Sequence, residues 1–135
     1  MTAEERIKFA EAAKHHSQHD NARTFCRILY FTGCRVSEAL ELTSDHIDFA
    51  NGCITFRTLK KRKQKGESKQ HWRNVPVPAS FLDELNMIHK LKKLKEPISL
   101  WPVTRQAAWG WCKQVMNEIG LSGVHATAKG LRHAF

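Results

Sequence analysis

Apolar residues recur at helical spacing in the first third of the chain. Thr2 and Glu5 have the spacing of a capping box, in which each side chain satisfies the other residue's backbone amide, so a short amphipathic helix is predicted behind them. A broader apolar stripe predicts a second helix over 22–32. Gly33 follows as the residue that ends it, because glycine adopts a positive φ at little cost. One or two further helical turns are predicted over 37–42.

The pattern changes to alternation in the middle of the chain. Residues 53–59 (CITFRTL) and 72–77 (WRNVPV) are rich in β-branched and aromatic residues, and a turn signal at Asn51-Gly52 precedes the first segment. The two segments predict an antiparallel hairpin. Between them, residues 60–70 read KKRKQKGESKQ and predict a strongly basic loop with little to pack.

Helical spacing returns in the second half of the chain. A third helix is predicted over 80–95, before Pro97, and a fourth over 105–119 behind the N-cap residue Thr104. Thr127 has the position of an N-cap for a last helix, which the sequence only begins.

These elements predict an α+β fold that is mainly α-helical with a small antiparallel β-sheet or hairpin of two or three strands. A length of 135 residues fits one domain, and 41% hydrophobic with 26% charged residues is an ordinary globular composition. Because the last helix only begins, we expect residues 1–135 to form a single, incomplete domain. No run of about 18 apolar residues occurs, so no membrane partner is expected.

Charge gives the first indication of a partner. The chain has 22 Lys and Arg against 13 Asp and Glu, a formal net charge of +9, which is typical of domains that bind a polyanion and nucleic acid above all. The four cysteines form no CxxC pair, and the N-terminus has no apolar signal segment. A reduced, cytoplasmic chain is therefore expected.

Several classes of enzyme lack their signatures in this sequence. It contains no GxxxxGK[ST] phosphate loop, no GxGxxG, no HExxH and no GxSxG. His15, His16 and His19 are close in sequence, but no cysteine or carboxylate has a convincing ligand spacing around them, so they are interpreted as a polar helix end. No metal and no cofactor are expected.

Two arginines and the basic loop are candidate anion-binding groups. Residues 58–73 contain seven Lys or Arg and one Glu, which suits contact with a phosphate backbone, although a simple solvated loop is the alternative. Arg35 follows the end of a buried helix, where apolar neighbours should bury its stem. Arg132 lies at the predicted start of the last helix, where exposed amides also favour an anion. Each arginine alone fits a salt bridge; together with the loop they predict a phosphate pocket.

Three segments occur in an order that is typical of one enzyme family. Residues 32–48 read TGCRVSEALELTSDHID, residues 58–60 read TLK ahead of RNVPVP at 73–78, and residues 127–133 read TAKGLRH. They resemble the first arginine box, the hairpin lysine with its return strand, and the second arginine box of the tyrosine recombinase (phage integrase) family. The resemblance covers nearly the whole chain and implies the catalytic-domain fold of that family.

The resemblance implies a substrate and a mechanism. Double-stranded DNA would be broken by a tyrosine that forms a 3′-phosphotyrosine link and frees a 5′-hydroxyl, without metal or cofactor. Arg35 and Arg132 would hold the non-bridging oxygens of the scissile phosphate and stabilise the charge of the transition state. Lys60 would be the general acid that protonates the leaving 5′-oxygen, and Lys61 is the competing assignment.

Other positions take secondary roles by the same resemblance. Lys129 stands where the family usually has histidine; lysine can donate to a phosphate oxygen but is a poor base at neutral pH. Glu38 and His133 are expected to support the site. The remaining basic residues of the hairpin are expected to bind DNA: Lys61, Arg62, Lys63, Lys65, Lys69 and Arg73.

The nucleophile is expected outside this sequence. The only tyrosine, Tyr30, lies on the apolar face of the predicted second helix and is expected in the core. The first hypothesis is therefore a piece of a recombinase catalytic domain that is inactive alone and lacks the family's N-terminal DNA-clamp domain. Its parent would integrate, excise or resolve DNA, as mobile elements do, and would self-associate on DNA in the bacterial cytoplasm or nucleoid.

Two other hypotheses stay open. A non-catalytic nucleic-acid-binding remnant or regulator needs only the charge and the hairpin. A basic RNA-binding domain is the third, although an RNP1-like aromatic pattern is lacking.

Overall fold

Five helices and a three-stranded antiparallel sheet make up the part of the chain that the computed structural model describes, residues 2–14, 20–58, 71–94 and 96–120. The predicted α+β, mainly helical fold is confirmed. None of these helices is long and apolar enough to cross a membrane. In chain order the elements are α1 (Ala3–Lys14), α2 (Asp20–Thr32), α3 (Val36–Leu40), β1 (Ile47–Asp48), β2 (Cys53–Arg57), β3 (Trp72–Pro76), α4 (Ala79–His89) and α5 (Arg105–Glu118), with short 3-10 turns at Ser44–His46 and Leu91–Lys93.

The predicted helix starts are confirmed by their capping bonds. The Thr2 amide donates to Glu5 Oε1 at 2.9 Å, and the Glu5 amide donates to Thr2 Oγ1 at 3.1 Å, which is the reciprocal capping box. At α5, Thr104 Oγ1 accepts the Ala107 amide at 3.2 Å. These bonds satisfy amides that have no partner within their helix.

The sheet has the order β1-β2-β3 with antiparallel neighbours. The predicted β2–β3 hairpin is confirmed, and the turn at Asn51-Gly52 has Gly52 at φ +68°. Ile54 and Phe56 of β2 are fully buried, so one face of the sheet packs on the core. Strand β1 is only two residues long, too short to produce an alternating pattern in the sequence.

The expectation of one helix over 80–95 is wrong: α4 ends at His89. Lys90 has a positive φ of 55°, and its amide donates to the Asn86 carbonyl at 2.7 Å. The side chain of Asn86 also accepts the Lys92 amide at 3.0 Å. The backbone oxygen and the side-chain oxygen of Asn86 thus both accept hydrogen bonds at the end of the helix. The buried Leu91 is the first residue of the short 3-10 turn that follows.

The core forms where α1, α2 and α5 pack together, and α3 contacts α2, α5 and strand β2, so that the buried side chains of the sheet join the same core. Phe25 of α2 packs edge-to-face against Trp101, with ring centroids 5.4 Å apart. The Trp101 indole Nε1 donates to Thr24 Oγ1 at 3.1 Å, so the polar atom of this buried ring is satisfied.

Tyr30 is half-buried, and the expectation that it lies in the core is therefore wrong. Its ring packs under the guanidinium of Arg6, whose central carbon lies 4.4 Å from the ring centroid. The Arg6 Nη2 atom also donates to the Tyr30 carbonyl at 2.7 Å. The side of α2 that carries Tyr30 is thus covered by a polar side chain of α1, while Leu29 in the same turn is buried in the core.

Candidate functional site

Arg35 sits between the end of α2 and the start of α3, on a turn that is closed by local hydrogen bonds. Gly33 has φ +65°, and its amide donates to the Leu29 carbonyl at 3.0 Å. The Thr32 hydroxyl donates to the Ile28 carbonyl at 2.7 Å and accepts the Cys34 amide at 3.3 Å. The half-buried Arg35 is therefore held at a defined position ahead of α3.

Glu38 fixes this position from within the helix. Its Oε1 atom accepts the Arg35 amide at 2.9 Å, the return bond of a cap at the start of α3. The residue is 2% exposed, and a buried carboxylate requires a charged or multiple hydrogen-bond partner.

Arg73 of β3 supplies that partner. Its Nη2 donates to Glu38 Oε1 at 2.8 Å and its Nη1 to Glu38 Oε2 at 3.1 Å, a bidentate pair. The guanidinium also lies over the Phe56 ring, with its central carbon 5.2 Å from the centroid. One carboxylate therefore connects the backbone of Arg35 to the β2–β3 hairpin.

The base of the basic loop is anchored to the same cluster. Arg73 Nη1 donates to Thr58 Oγ1 at 3.0 Å, and the Thr58 amide donates to the His71 carbonyl at 2.8 Å. A second ion pair, between Arg57 of β2 and Glu41 after α3, spans the same junction. The hairpin that carries the basic loop is thus joined to the turn that carries Arg35.

Cys34 is the nucleophilic side chain nearest to Arg35 in the chain, and its environment keeps it inert. Burial raises the pKa of the Cys34 thiol to about 12, although a hydrogen bond from Thr32 acts in the opposite direction. The thiolate is the reactive form. Cys34 therefore stays a neutral packing residue at physiological pH.

The structure brings three of the predicted site residues together: Arg35, Glu38 and Arg73. It pairs Arg73, which we expected to bind DNA, with Glu38 and Thr58. Strand alternation is the signal for this contact, because Arg73 faces the same side as the buried residues of β2. The other predicted site residues lie outside the described residues and stay predictions: Lys60, Lys61, Arg62, Lys63, Lys65, Lys69, Lys129, Arg132 and His133.

Comparison with models of protein families shows the family to which the chain belongs. The model of the phage integrase family matches residues 1–135. The chain therefore belongs to the phage integrase family, and the resemblance to tyrosine recombinases is confirmed.

Two curated relatives illustrate the similarity. Tyrosine recombinase XerD of Neisseria meningitidis serogroup B is 29% identical over 127 residues, which cover 89% of this chain and 40% of that protein. Tyrosine recombinase XerA of Pyrococcus furiosus is 28% identical over 149 residues, covering 100% of this chain and 46% of the relative. The chain spans less than half the length of these relatives.

Solved structures share the fold. A crystal structure of XerA recombinase superposes with a TM-score of 0.71 at 19% identity, covering 100% of this chain and 48% of that one. The XerH site-specific recombinase bound to difH substrate, in a pre-cleavage complex, gives a TM-score of 0.70 at 25% identity, covering 100% of this chain and 40% of that one. The predicted likeness to a tyrosine recombinase catalytic domain is thus confirmed.

Proposed function

We propose that this chain is the phosphate-binding part of a site-specific recombinase that breaks and rejoins double-stranded DNA. The observation that carries the proposal is the shared carboxylate of Glu38, which holds the Arg35 amide and both terminal nitrogens of Arg73. This contact links the turn of Arg35 to the base of the basic hairpin. An arginine whose backbone is fixed, joined to the hairpin from which a basic segment extends in the sequence, suits a phosphodiester.

Arg35 is proposed to bind a non-bridging oxygen of the scissile phosphate. A guanidinium can donate two parallel hydrogen bonds to phosphate and keeps its charge at any physiological pH. Because its backbone is fixed before substrate arrives, little reorganisation is needed when negative charge builds up in the transition state. Glu38 and Arg73 act here as positioning residues, since Glu38 accepts the Arg35 amide and Arg73 holds the Glu38 carboxylate.

Lys60 is proposed as the general acid, with Lys61 as the alternative. It comes two residues after Thr58 in the sequence, and Thr58 is the residue that Arg73 and His71 anchor. A lysine among other cations at a desolvated DNA surface has a lowered pKa and can give its proton to the leaving 5′-oxygen. Arg132 is proposed as the second phosphate ligand, with Lys129 donating to a phosphate oxygen and His133 supporting.

The attacking tyrosine is proposed to come from outside this sequence. The one tyrosine of the chain, Tyr30, is covered by Arg6 on the α1 side of α2. In the reaction, a tyrosine hydroxyl gives up its proton to solvent and its oxygen bonds to phosphorus, while the bond to the 5′-oxygen breaks and that oxygen takes the lysine proton. The 135-residue chain alone should therefore bind DNA without forming a covalent link to it.

A binding experiment tests the phosphate site. Affinity for a mixed-sequence duplex is measured against salt concentration for the wild type, Arg35→Ala, Lys60→Ala and Lys61→Ala, with Lys93→Ala of the exposed 3-10 turn as a control of equal charge change. Loss of one phosphate contact reduces the salt slope by about 1. We expect that loss for Arg35→Ala and for at least one loop lysine. Equal slopes for Arg35→Ala and Lys93→Ala would contradict the proposal.

A cleavage experiment separates catalysis from mere binding. A nicked duplex that traps the covalent intermediate is incubated with the chain and with the whole protein of its gene. We expect a covalent complex only with the whole protein, reduced about 100-fold or more by Arg35→Ala. A whole protein that binds the duplex but never forms the complex would favour the non-catalytic remnant.

A further inference from the structure

Trp72, the first residue of β3, exposes 51% of its surface. It pairs with Arg57 of β2, and its neighbour Arg73 faces the core side of the sheet toward Glu38. Since successive strand residues face opposite sides, Trp72 lies on the outer face. A large aromatic ring left half-exposed beside polar strand residues is characteristic of contact surfaces.

His46 stands beside this ring and is itself held in place. The two ring centroids are 5.6 Å apart, with the planes tilted by 57°. His46 Nδ1 accepts the Thr43 amide at 3.2 Å. The neutral imidazole must then carry its proton on Nε2, which makes that edge a hydrogen-bond donor. The pair thus combines a flat apolar face with an oriented N–H donor.

The positive charge that precedes Trp72 in the sequence indicates the chemical class of molecule that would bind Trp72 and His46. Trp72 directly follows His71, whose carbonyl closes the base of the basic loop, and residues 60–69 contain six Lys or Arg and one Glu. Of the acidic residues that flank His46 in the chain, Glu41 pairs with Arg57, whereas Asp45 accepts from the Thr43 hydroxyl and Asp48 from Asn51. A partner that is both polyanionic and rich in flat rings is nucleic acid.

We propose that Trp72 and His46 form a stacking surface for a nucleobase of DNA held by the basic loop. The proposal rests on the proposed function for the identity of the polymer and adds a contact that is independent of the phosphate site. Stacking on an aromatic ring tolerates any base, because every base presents a π-face. The surface therefore adds affinity for exposed bases without sequence preference.

The test compares substitutions that separate stacking from bulk. Affinities for a labelled oligothymidylate and for a mixed-sequence duplex of equal length are measured for Trp72→Ala, Trp72→Leu and Trp72→Phe. Met87→Ala serves as the control, because Met87 is an apolar side chain that is 73% exposed on α4. Loss of one stacked base weakens binding by about 5-fold or more. We expect that loss for Ala and Leu, near-normal affinity for Phe, and no effect of Met87→Ala.

Salt dependence distinguishes stacking from charge. The affinity loss in Trp72→Ala should be the same at every salt concentration, because no phosphate contact is removed. Arg35→Ala should instead flatten the salt dependence. If Trp72→Leu binds oligothymidylate as well as the wild type while Arg35→Ala loses affinity, the stacking proposal is wrong and the proposed function stands. If the wild type binds neither the oligothymidylate nor the duplex, the stacking proposal and the proposed function are both wrong.

Fluorescence quenching tests the same contact in the wild-type protein, with Trp72→Phe as the comparison. Trp72 is half-exposed, Trp109 and Trp111 are partly buried and Trp101 is buried, so Trp72 is the tryptophan most accessible to acrylamide in the free protein. Oligothymidylate should protect the wild type from acrylamide and leave Trp72→Phe unchanged. Unprotected wild type at saturating DNA would overturn the proposal. If Trp72→Ala instead dissociates a self-associated form with unchanged DNA affinity, the surface joins two copies of the chain and the proposal is also overturned.

Discussion

Glu38 and Arg73 form a bidentate ion pair between α3 and β3, with nitrogen–oxygen distances of 2.8 and 3.1 Å. The carboxylate is 2% exposed, whereas about a third of the Arg73 side chain reaches solvent. The pair therefore has one partner in the protein interior, Glu38, and one partner at the surface near the proposed phosphate site, Arg73. Its removal should affect stability and DNA binding together.

The first prediction concerns the stability of this pair. Arg73→Ala removes the bidentate cationic partner of a buried carboxylate and should lower the free energy of unfolding by about 3 kcal/mol. Adding Glu38→Ala should recover part of that loss, because the unpaired charge is removed. Urea denaturation of both single variants and the double variant measures the coupling. Arg57→Ala, at the more exposed pair with Glu41, is the control and should cost less than about 1 kcal/mol.

The second prediction concerns pH. Burial lowers the pKa of His89, while the carboxylate of Asp20 acts in the opposite direction. Its Nε2 lies 2.9 Å from Thr24 Oγ1, which also accepts from Trp101. The folded chain therefore favours the neutral ring, and the unfolded chain, with an ordinary pKa of about 6.5, binds a proton more readily.

Stability from this group is thus fully present above about pH 6.5 and is lost as the pH falls below that value. Urea denaturation between neutral pH and about pH 5 measures the slope in a range where ordinary carboxylates are still ionised. His89→Gln should flatten it. A variant that keeps the full slope would assign it to another group.

The end of α4 gives a third prediction. Lys90 adopts φ 55°, and a left-handed conformation costs a residue with a side chain about 1 kcal/mol or more relative to glycine. Lys90→Gly should therefore raise the free energy of unfolding by about 1 kcal/mol, and thermal or urea unfolding measures it. Lys90→Ala removes the same side chain without relieving the backbone. A gain from alanine equal to that from glycine would show that the lysine charge, not the conformation, is unfavourable.

Cysteine reactivity gives a fourth prediction. Cys26 and Cys112 are buried with their sulfurs 3.9 Å apart, and their mutual contact and burial raise the pKa of Cys26. Cys34 is buried as well, whereas Cys53 at the start of β2 is only half-buried. A thiol-reactive chromophore should label one site rapidly in the native chain, and Cys53→Ser should abolish that phase. Rapid labelling of more than one thiol would indicate an opened core.

Local patterns predicted the fold where they were strong. The capping box of Thr2 and Glu5, the glycine after α2 and the alternating residues of β2 and β3 each act over a few neighbouring positions. Strand β1 was missed because two residues carry no period. The break after His89 was missed because Asn86, an ordinary helix-surface residue in the sequence, caps the helix through a contact that only the folded backbone defines.

Sequence analysis predicted which residues belong to the site, but it did not predict which of them contact each other. The resemblance singled out Arg35, Glu38 and Arg73, but it gave Glu38 only a general supporting role. The pairing of Glu38 with Arg73 joins residues 35 positions apart, and sequence spacing cannot supply such a contact. The alternation of β3, which turns Arg73 inward and Trp72 outward, is the one local signal that separates their roles.

The Thr58 amide donates to the His71 carbonyl and so joins the two ends of the basic loop. The number of residues between these two ends can therefore differ without separating the strands. Because the ends meet at this bond, they stay together when residues are added or removed between them, and the entropy of closing such a loop grows slowly with its length. Related proteins can therefore differ in how far this segment reaches while the turn of Arg35 keeps its place. The length of DNA that the basic loop can contact can therefore evolve separately from the position of Arg35.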